Sequence, residues 1–283
     1  MTFQIRPCLG IQHERLAEAM NAAFSDYVVP LHLTDAQFHE IACRRGFSED
    51  HSFLAMEGDQ IAGFWFSSKP EPKMGSRAYC LSAGVIPAYR RKGLLRRLFD
   101  AVLDKHNDDK GTGLQLEVIS TNEAALRGYE SFGYEVVRDL NAYKLENLPF
   151  SQDVPQGVDI REIDLERLPA DVSSFFDTDP TRQNQRSAMA ALPETVRVFG
   201  AFAEGKLIGW QAAFSDGAIP ELAVHQDWRR RGVGSALLAR VATIHPEKLM
   251  FVNVDAGCCS VNGFLNAHGA DVLLVQHDMF RAV

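Results

Sequence analysis

Three short patterns occur twice in this chain, in the same order and at nearly constant spacing. Phe53-Leu54-Ala55-Met56-Glu57-Gly58-Asp59-Gln60-Ile61-Ala62-Gly63 returns as Val198-Phe199-Gly200-Ala201-Phe202-Ala203-Glu204-Gly205-Lys206-Leu207-Ile208-Gly209. Arg90-Arg91-Lys92-Gly93-Leu94-Leu95 returns as Arg229-Arg230-Arg231-Gly232-Val233-Gly234. Tyr129-Glu130-Ser131-Phe132-Gly133-Tyr134 returns as Leu265-Asn266-Ala267-His268-Gly269-Ala270. The offsets are 147, 139 and 136 residues (Glu57 to Glu204, Gly93 to Gly232, Gly133 to Gly269), close to half of the 283-residue chain. Repetition in register means one folding unit used twice. The stretch 148–157, with Pro149, Pro155 and Gly157 and no periodicity, reads as a linker. The expected division is therefore 1–147, linker 148–157, and 158–283.

Each copy has the same order of elements. A short strand (2–6; 158–161) leads into helices (14–24 and 35–45; 165–176 and 181–190). A hairpin follows, with a Gly-containing turn between apolar runs. Next come a strand (79–86; 220–224), a basic turn with glycine and an amphipathic helix. That helix carries Leu94, Leu95, Leu98, Phe99, Val102 and Leu103 in the first copy, and Val233, Leu237, Val241 and Ile244 in the second, spaced by three and four. A further strand (114–119; 249–254), a short helix ending at Gly133 or Gly269, and a closing strand pair complete the unit. This is an α+β order with a mixed, mostly antiparallel sheet.

Composition narrows the function. The 37 acidic residues outnumber the 29 basic ones, for a net charge of −8. Nucleic-acid carriers and proteins held on anionic lipid need the opposite balance; a cationic partner such as a protonated amine suits it. No apolar run approaches the ~18 residues of a membrane span. The start of the chain shows no basic segment followed by an apolar core, so a cytoplasmic location is expected. The five cysteines include no CxxC, which fits neither a disulfide framework nor a metal site.

A strand, a basic turn with glycine and then a helix suit a diphosphate. The first amides of a helix lack internal partners and sit at the positive end of its dipole. Glycine lets the backbone approach the ligand, and Arg or Lys adds charge. Arg90, Arg91, Lys92, Gly93, Leu94 and Leu95 meet most of these requirements; Arg229, Arg230, Arg231, Gly232, Val233, Gly234 and Ser235 meet them all.

These turns resemble the acetyl-CoA signature R/Q-x-x-G-x-G/A of the GNAT superfamily of N-acetyltransferases. Asn122-Glu123-Ala124-Ala125-Leu126-Arg127-Gly128-Tyr129-Glu130-Ser131-Phe132-Gly133-Tyr134 is similar to the second marker of that superfamily, N-x-x-A-x-x-x-Y-x-x-x-G-F/Y. The resemblance covers nearly the whole chain as two tandem GNAT units. It implies two central strands that splay at a bulge, here 80–86 and 114–119, with pantetheine in the gap. It implies a diphosphate on the amides of 90–95 and an oxyanion held by an N–H near Val85, with Val224 in the equivalent place. Acetyl-CoA is then the acyl donor, no metal takes part, and an amine attacks the thioester directly.

An attacking amine must shed a proton, from a pKa of ~10.4 for a lysine type or ~8 for an α-amino group. The pairing of Glu117 with Tyr129 looks like the base and acid of the branch that acetylates ribosomal-protein N-termini, so Glu117 is the candidate base and Tyr129 the candidate acid. Asn122 would hold pantetheine or a water. Asp26, Tyr27 and His32 lie near the loop that usually shapes the acceptor pocket; Cys80 is a strand cysteine. The second copy has Leu265, Cys258 and Asn253 where the first has Tyr129, Asn122 and Glu117, which leaves Glu221 as its base candidate. Catalysis is thus expected in the first half, with the second half structural or a second CoA site. The alternative is a non-catalytic acyl-CoA-binding or regulatory protein. The acceptor is open among small molecules and peptide N-termini, and a homo-oligomer is compatible with the sequence.

Overall fold

The computed structural model describes residues 2–26, 31–72, 75–146 and 153–283. The chain divides into two compact units, one formed by 1–137 with 278–283 and the other by 138–277.

The first unit opens with β1 (Gln4–Pro7), α1 (His13–Ala23) and α2 (Asp35–Arg45). Thr34 starts α2 with a reciprocal cap: its hydroxyl accepts from Gln37 N at 3.2 Å, and the Gln37 side chain accepts from Thr34 N at 2.9 Å. Gly46 ends the helix in the left-handed region, at φ 72°. The hairpin follows as β2 (Phe53–Glu57) and β3 (Gln60–Ser67), then β4 (Arg77–Val85), α3 (Leu94–Asp108), β5 (Gly113–Ile119), α4 (Glu123–Ser131) and β6 (Glu135–Glu146). The strands run in the order β1-β2-β3-β4-β5. All neighbours are antiparallel except β4 and β5.

Strand alternation sends side chains to two cores. Phe64 and Phe66 of β3, with Tyr79 and Leu81 of β4, pack against Leu16, Met20 and Phe38 from α1 and α2. Trp65, with Leu114, Leu116 and Val118 of β5, packs on the other face against Leu94, Leu98, Phe99 and Val102 of α3. Phe99 stacks on Phe132 at 4.6 Å. Burial of each such side chain contributes roughly 1.5–3 kcal/mol.

The second unit holds β7 (Val158–Ile163), α5 (Arg186–Ala190), β8 (Val196–Ala203), β9 (Lys206–Phe214), β10 (Glu221–Val224), α6 (Val233–Ala242), β11 (Lys248–Asp255), α7 (Cys259–Ala267) and β12 (Asp271–Ala282). Strands β7 to β10 form an antiparallel sheet in chain order. β6 passes into this unit at residue 138, and its stretch from Leu140 to Glu146 pairs antiparallel with β11.

Three expectations are corrected. The helices over 165–176 and 181–190 reduce to 3-10 turns at 165–167 and 182–184 and the five-residue α5. Pro169 and Pro180 interrupt this stretch, and proline cannot donate the helical hydrogen bond. The closing strand pair of each copy is instead one twelve-residue strand, β6 or β12. The units part at 137/138 and 277/278 rather than at 148–157, because the chain's last residues pack in the first unit: Gln115 Nε2 donates to Asp278 Oδ1 at 2.7 Å, and Met279 is fully buried in the α3-side core. Of the expected linker, 148–152 lies outside the described residues.

Candidate active site

β4 and β5 pair in parallel only from Arg77↔Gly113 to Tyr79↔Gln115. Beyond that point both strands continue, to Val85 and Ile119, without pairing to each other. The parting coincides with a register shift on the other side of β4, where Phe66 faces Ser82 but Ser67 faces Cys80, leaving Leu81 as the extra residue. A gap edged by unpaired backbone groups results. Ile86 N donates to Ala62 O at 3.0 Å, so by strand alternation the Val85 N–H points away from β3 and toward the gap. The second unit repeats this arrangement. Just ahead of β10, Ala218 makes a single parallel bridge to Met250 of β11, and His225 N donates to Ile208 O at 2.9 Å, so Val224 N–H faces outward in the same way. Gly63 and Gly209 allow this geometry: an added Cβ would lie 3.0 Å from Gly84 O and 2.8 Å from Ala223 O.

The turns after the two strands match in detail. Arg91 and Gly93 have φ of 65° and 71°; Arg230 and Gly232 have 61° and 84°. Left-handed residues alternating with right-handed or extended ones turn the amides of such a turn to one side, and glycine takes that conformation without strain. Helices α3 and α6 start at Gly93 and Gly232 with no side-chain cap, so their leading amides are offered outward.

The guanidinium groups of Arg90 and Arg229 are held within the protein. Arg90 donates to Val85 O at 3.1 Å, Ala23 O at 2.9 Å and both Asp26 oxygens at 2.7 Å. Arg229 likewise donates to Val224 O at 3.1 Å, Phe175 O at 2.9 Å and the Asp177 carboxylate at 2.8 and 2.9 Å. Their backbone amides are also engaged, with Pro87 O and Gln226 O. Both arginines therefore shape the turn. Hydrogen bonding from Arg90 holds the Asp26 carboxyl below its ordinary range; Ser260 first and then Arg229 do the same for Asp177. The signal for these acids was in the sequence, since Phe24-Ser25-Asp26 and Phe175-Phe176-Asp177 are a fourth repeated pattern. Lys92 sits over the Phe3 and Tyr89 rings at 5.4 and 5.2 Å, and Arg231 over Trp228 at 5.0 Å. Arg91 and Arg230 are exposed. Leu95 packs against the α3-side core, away from the open amides. Ser235 Oγ lies 2.9 Å from His268 Nε2.

Glu117 and Tyr129 lie on opposite faces of the splayed pair. Glu117 alternates with Leu116 and Val118 and so faces the α1–α2 side, where it accepts a hydrogen bond from the Tyr79 hydroxyl. Tyr79 is fully buried, and burial, then the nearby Glu117 charge, push its phenol well above the usual value, so it stays a proton donor. Nothing in the sequence pattern marks Tyr79. Tyr129 lies in the α3–α4 core, edge-on to Trp65 at 6.0 Å and Tyr134 at 5.8 Å. Asn122 caps α4, accepting from Ala125 N at 3.1 Å. Cys80 is buried, and burial raises its thiol pKa, which suits a packing role. His32 is exposed, and Tyr27 lies outside the described residues.

The second unit lacks this pair. Leu265 is fully buried. Asn253, at φ 59°, donates to Thr181 Oγ1 at 3.3 Å and accepts from Gln276 Nε2 at 2.6 Å. Glu221 accepts from Trp210 Nε1 at 2.6 Å and lies 3.7 Å from Arg186 Nε, buried on the α5 side. Burial raises its pKa above the ordinary carboxylate value. The unit does hold an open cleft of about 460 Å³, lined among others by Leu222, Val224, Arg230, Gly232, Gly234 and Cys258. Among the described residues no group of three His, Cys, Asp or Glu is placed to hold a metal ion, and no helix is long and apolar enough to cross a membrane.

Two units that each part a strand pair above a glycine-capped basic turn define an acyltransferase architecture. Residues 14–134 match the Acetyltransferase (GNAT) family and residues 194–271 the Acetyltransferase (GNAT) domain. The chain belongs to the GNAT acetyltransferases, with two units in tandem. It is 29% identical over 275 residues to mycothiol acetyltransferase of Thermobispora bispora, with 87% of each chain covered. In fold it is similar to a GCN5-related N-acetyltransferase from Sphaerobacter thermophilus (TM-score 0.73, 17% identity, 99% of this chain and 95% of that one). It is similar in the same way to a tandem GNAT protein from the clavulanic acid biosynthesis pathway (TM-score 0.72, 14% identity, 99% and 98%).

Proposed function

We propose that the first unit moves the acetyl group of acetyl-CoA directly to a primary amine. The observation that carries this reading is the splay beyond Tyr79 and Gln115, with a carboxylate on one face and a buried tyrosine on the other. Acetyl-CoA would lie with its diphosphate on the amides of 91–95 and its thioester in the gap. Glu117 takes the proton from the incoming ammonium, directly or through water. The amine attacks the carbonyl, and the Val85 N–H stabilises the oxyanion. As the intermediate collapses, Tyr129 supplies a proton to the departing thiolate. Both partners are bound at once, and no acyl-enzyme forms.

The acceptor is a small amine. The net charge of −8 favours a cationic acceptor. The name of the Thermobispora bispora relative adds thiol-bearing amines to the classes to be tested. The second unit, with its cleft but without the acid and base, is a second site for a CoA ester. Free cysteines throughout fit a reducing compartment such as the cytoplasm. CoA-thiol release measured over a panel of polyamines, amino acids, amino sugars, aminothiols and peptides tests the reading. Turnover is expected with one class, falling ~10²–10⁴-fold in Tyr129→Phe and Glu117→Gln. Unchanged turnover in both variants would move the chemistry elsewhere.

A further inference from the structure

The cleft of the second unit holds a serine and a histidine in hydrogen-bond contact. Ser235 Oγ lies 2.9 Å from His268 Nε2, both residues are half-buried, and both line the space of about 460 Å³. The other ring nitrogen, Nδ1, lies 2.8 Å from Phe264 O. A carbonyl can only accept, so Nδ1 carries a proton, and the neutral ring turns its lone pair at Nε2 toward Ser235. The serine hydroxyl therefore donates to the imidazole. Hydroxyl, base and the group that orients the base follow one another in the order that activates a serine as a nucleophile.

The surroundings serve the same chemistry. Ser235 stands in the first turn of α6, whose leading amides have no side-chain cap and offer donors beside the hydroxyl for a developing oxyanion. His268 is the C-cap of α7, at the negative end of that helix, which favours the imidazolium formed when the ring takes a proton. The Phe264 ring, 4.2 Å away, packs on the imidazole and holds its orientation. In the first unit Arg96 and Phe132 take these two places, with Arg96 paired to Asp100 at 2.8 Å and its guanidinium 5.5 Å from the centre of the Phe132 ring. The serine–histidine pair thus has no counterpart in the other copy. The rest of the wall includes Phe175, Phe176, Leu222, Val224 and Val261, an apolar lining that suits a short acyl chain.

We propose that Ser235 and His268 form a catalytic pair that hydrolyses esters of short apolar acids. Ser235 Oγ attacks the ester carbonyl and its proton passes to His268 Nε2. The bond to the alcohol oxygen breaks, and the alcohol leaves with that proton. A water molecule then gives a proton to the same nitrogen and attacks the acyl-serine. The bond to Oγ breaks, Ser235 recovers the proton, and the acid leaves. Ester and water are consumed, acid and alcohol are formed, and no other reactant enters. The proposal does not depend on the reading of this cleft as a CoA site, since it needs only an ester carbonyl at Ser235.

The test exposes the full-length chain to a fluorophosphonate, which phosphonylates an activated serine, and locates the label by peptide mapping. Label on Ser235 is expected, lost in Ser235→Ala and formed at least ~10²-fold more slowly in His268→Gln. Release of p-nitrophenol from p-nitrophenyl butyrate should fall in both variants, with circular dichroism showing that each is folded. Excess desulfo-CoA separates this proposal from the second CoA site. A label that desulfo-CoA suppresses supports both; a label on Ser235 that it leaves unchanged supports the pair and overturns the cleft as a CoA site. No label on Ser235 in the unaltered chain, or equal labelling rates in the unaltered chain and His268→Gln, overturns the proposal.

Discussion

The hydroxyl of Tyr79 donates to the carboxylate of Glu117 across β4 and β5, at the point where the two strands part. Tyr79 is the last residue of β4 paired to β5, and Glu117 stands two residues beyond its partner Gln115. The bond therefore fixes a carboxylate at the entrance of the gap. A hydrogen bond to a charged group contributes ~1.5–3 kcal/mol, so Tyr79→Phe should lower kcat by roughly 10–100-fold. The KM for acetyl-CoA should stay unchanged, because the phenol lies on the face away from α3. Steady-state CoA release gives both numbers; a change confined to KM would place Tyr79 with donor binding instead.

The Asp26–Arg90 pair sets the turn that presents the amides of 91–95. Its side chains are about half exposed, so the pair adds little stability, ~0–1 kcal/mol. Its effect should fall on geometry. Arg90→Lys cannot bridge Asp26, Ala23 O and Val85 O together, and a modest displacement of the turn is expected to raise the KM for acetyl-CoA ~3–10-fold. The thermal midpoint should move by no more than ~2 °C. Arg91→Ala, at an exposed residue, should instead weaken binding mainly at low salt. Identical salt profiles for the two variants would contradict this division of roles.

The parts of the site that could be read in the sequence are those built by local rules. A left-handed residue before an uncapped helix needs glycine, so Gly93 and Gly232 were visible, and the spacing of Asn122, Ala125, Tyr129 and Gly133 follows from one helix face. Tyr79 was not visible. Its importance depends on where two strands stop pairing, which no spacing along one strand encodes. The partner of Arg90 was hidden for a related reason: composition gives the charge of Arg90 but not the Phe-x-Asp segment that binds it. β6 and β12 look alike in the sequence, and an apolar pattern identifies a strand without naming its neighbour. The chain's last residues were for that reason assigned to the wrong unit.

Glu221 gives a signed dependence on pH. Burial, opposed by the Trp210 hydrogen bond and Arg186, raises its folded-state pKa above the ordinary 4.5. Its folded form is favoured below the unfolded pKa, and that contribution is lost as pH rises through the folded value. Glu221→Gln keeps an acceptor for Trp210 Nε1 and carries no charge to desolvate. The variant should melt higher than the unaltered protein at pH 8, and the difference should shrink steadily toward pH 4. Calorimetric melting across that range decides the point; a deficit at pH 8 would mean that the Arg186 attraction outweighs desolvation.

Residues 278–283 complete the first unit from the far end of the sequence. Met279 is fully buried, Asp278 takes the buried Gln115 amide, and Arg281 Nε donates to Phe132 O at 2.7 Å beside α4. Gly113 lies against this segment so closely that an added Cβ would sit 2.3 Å from the Phe280 ring and 2.8 Å from Arg281 O. The ring can shift, but the backbone oxygen cannot move without displacing the strand. Gly113→Ala should cost ~1–3 kcal/mol, the range for overpacking. Removal of 278–283 should have a larger effect, leaving the β5 edge bare and Gln115 unpaired. Hydrogen exchange read along the chain should then show protection lost across 53–137 and retained at 196–255. Acetyl transfer should vanish in the truncated chain and return, at least in part, when a peptide spanning 271–283 is added. Full protection of 53–137 without those residues would mean that the first unit closes its own sheet.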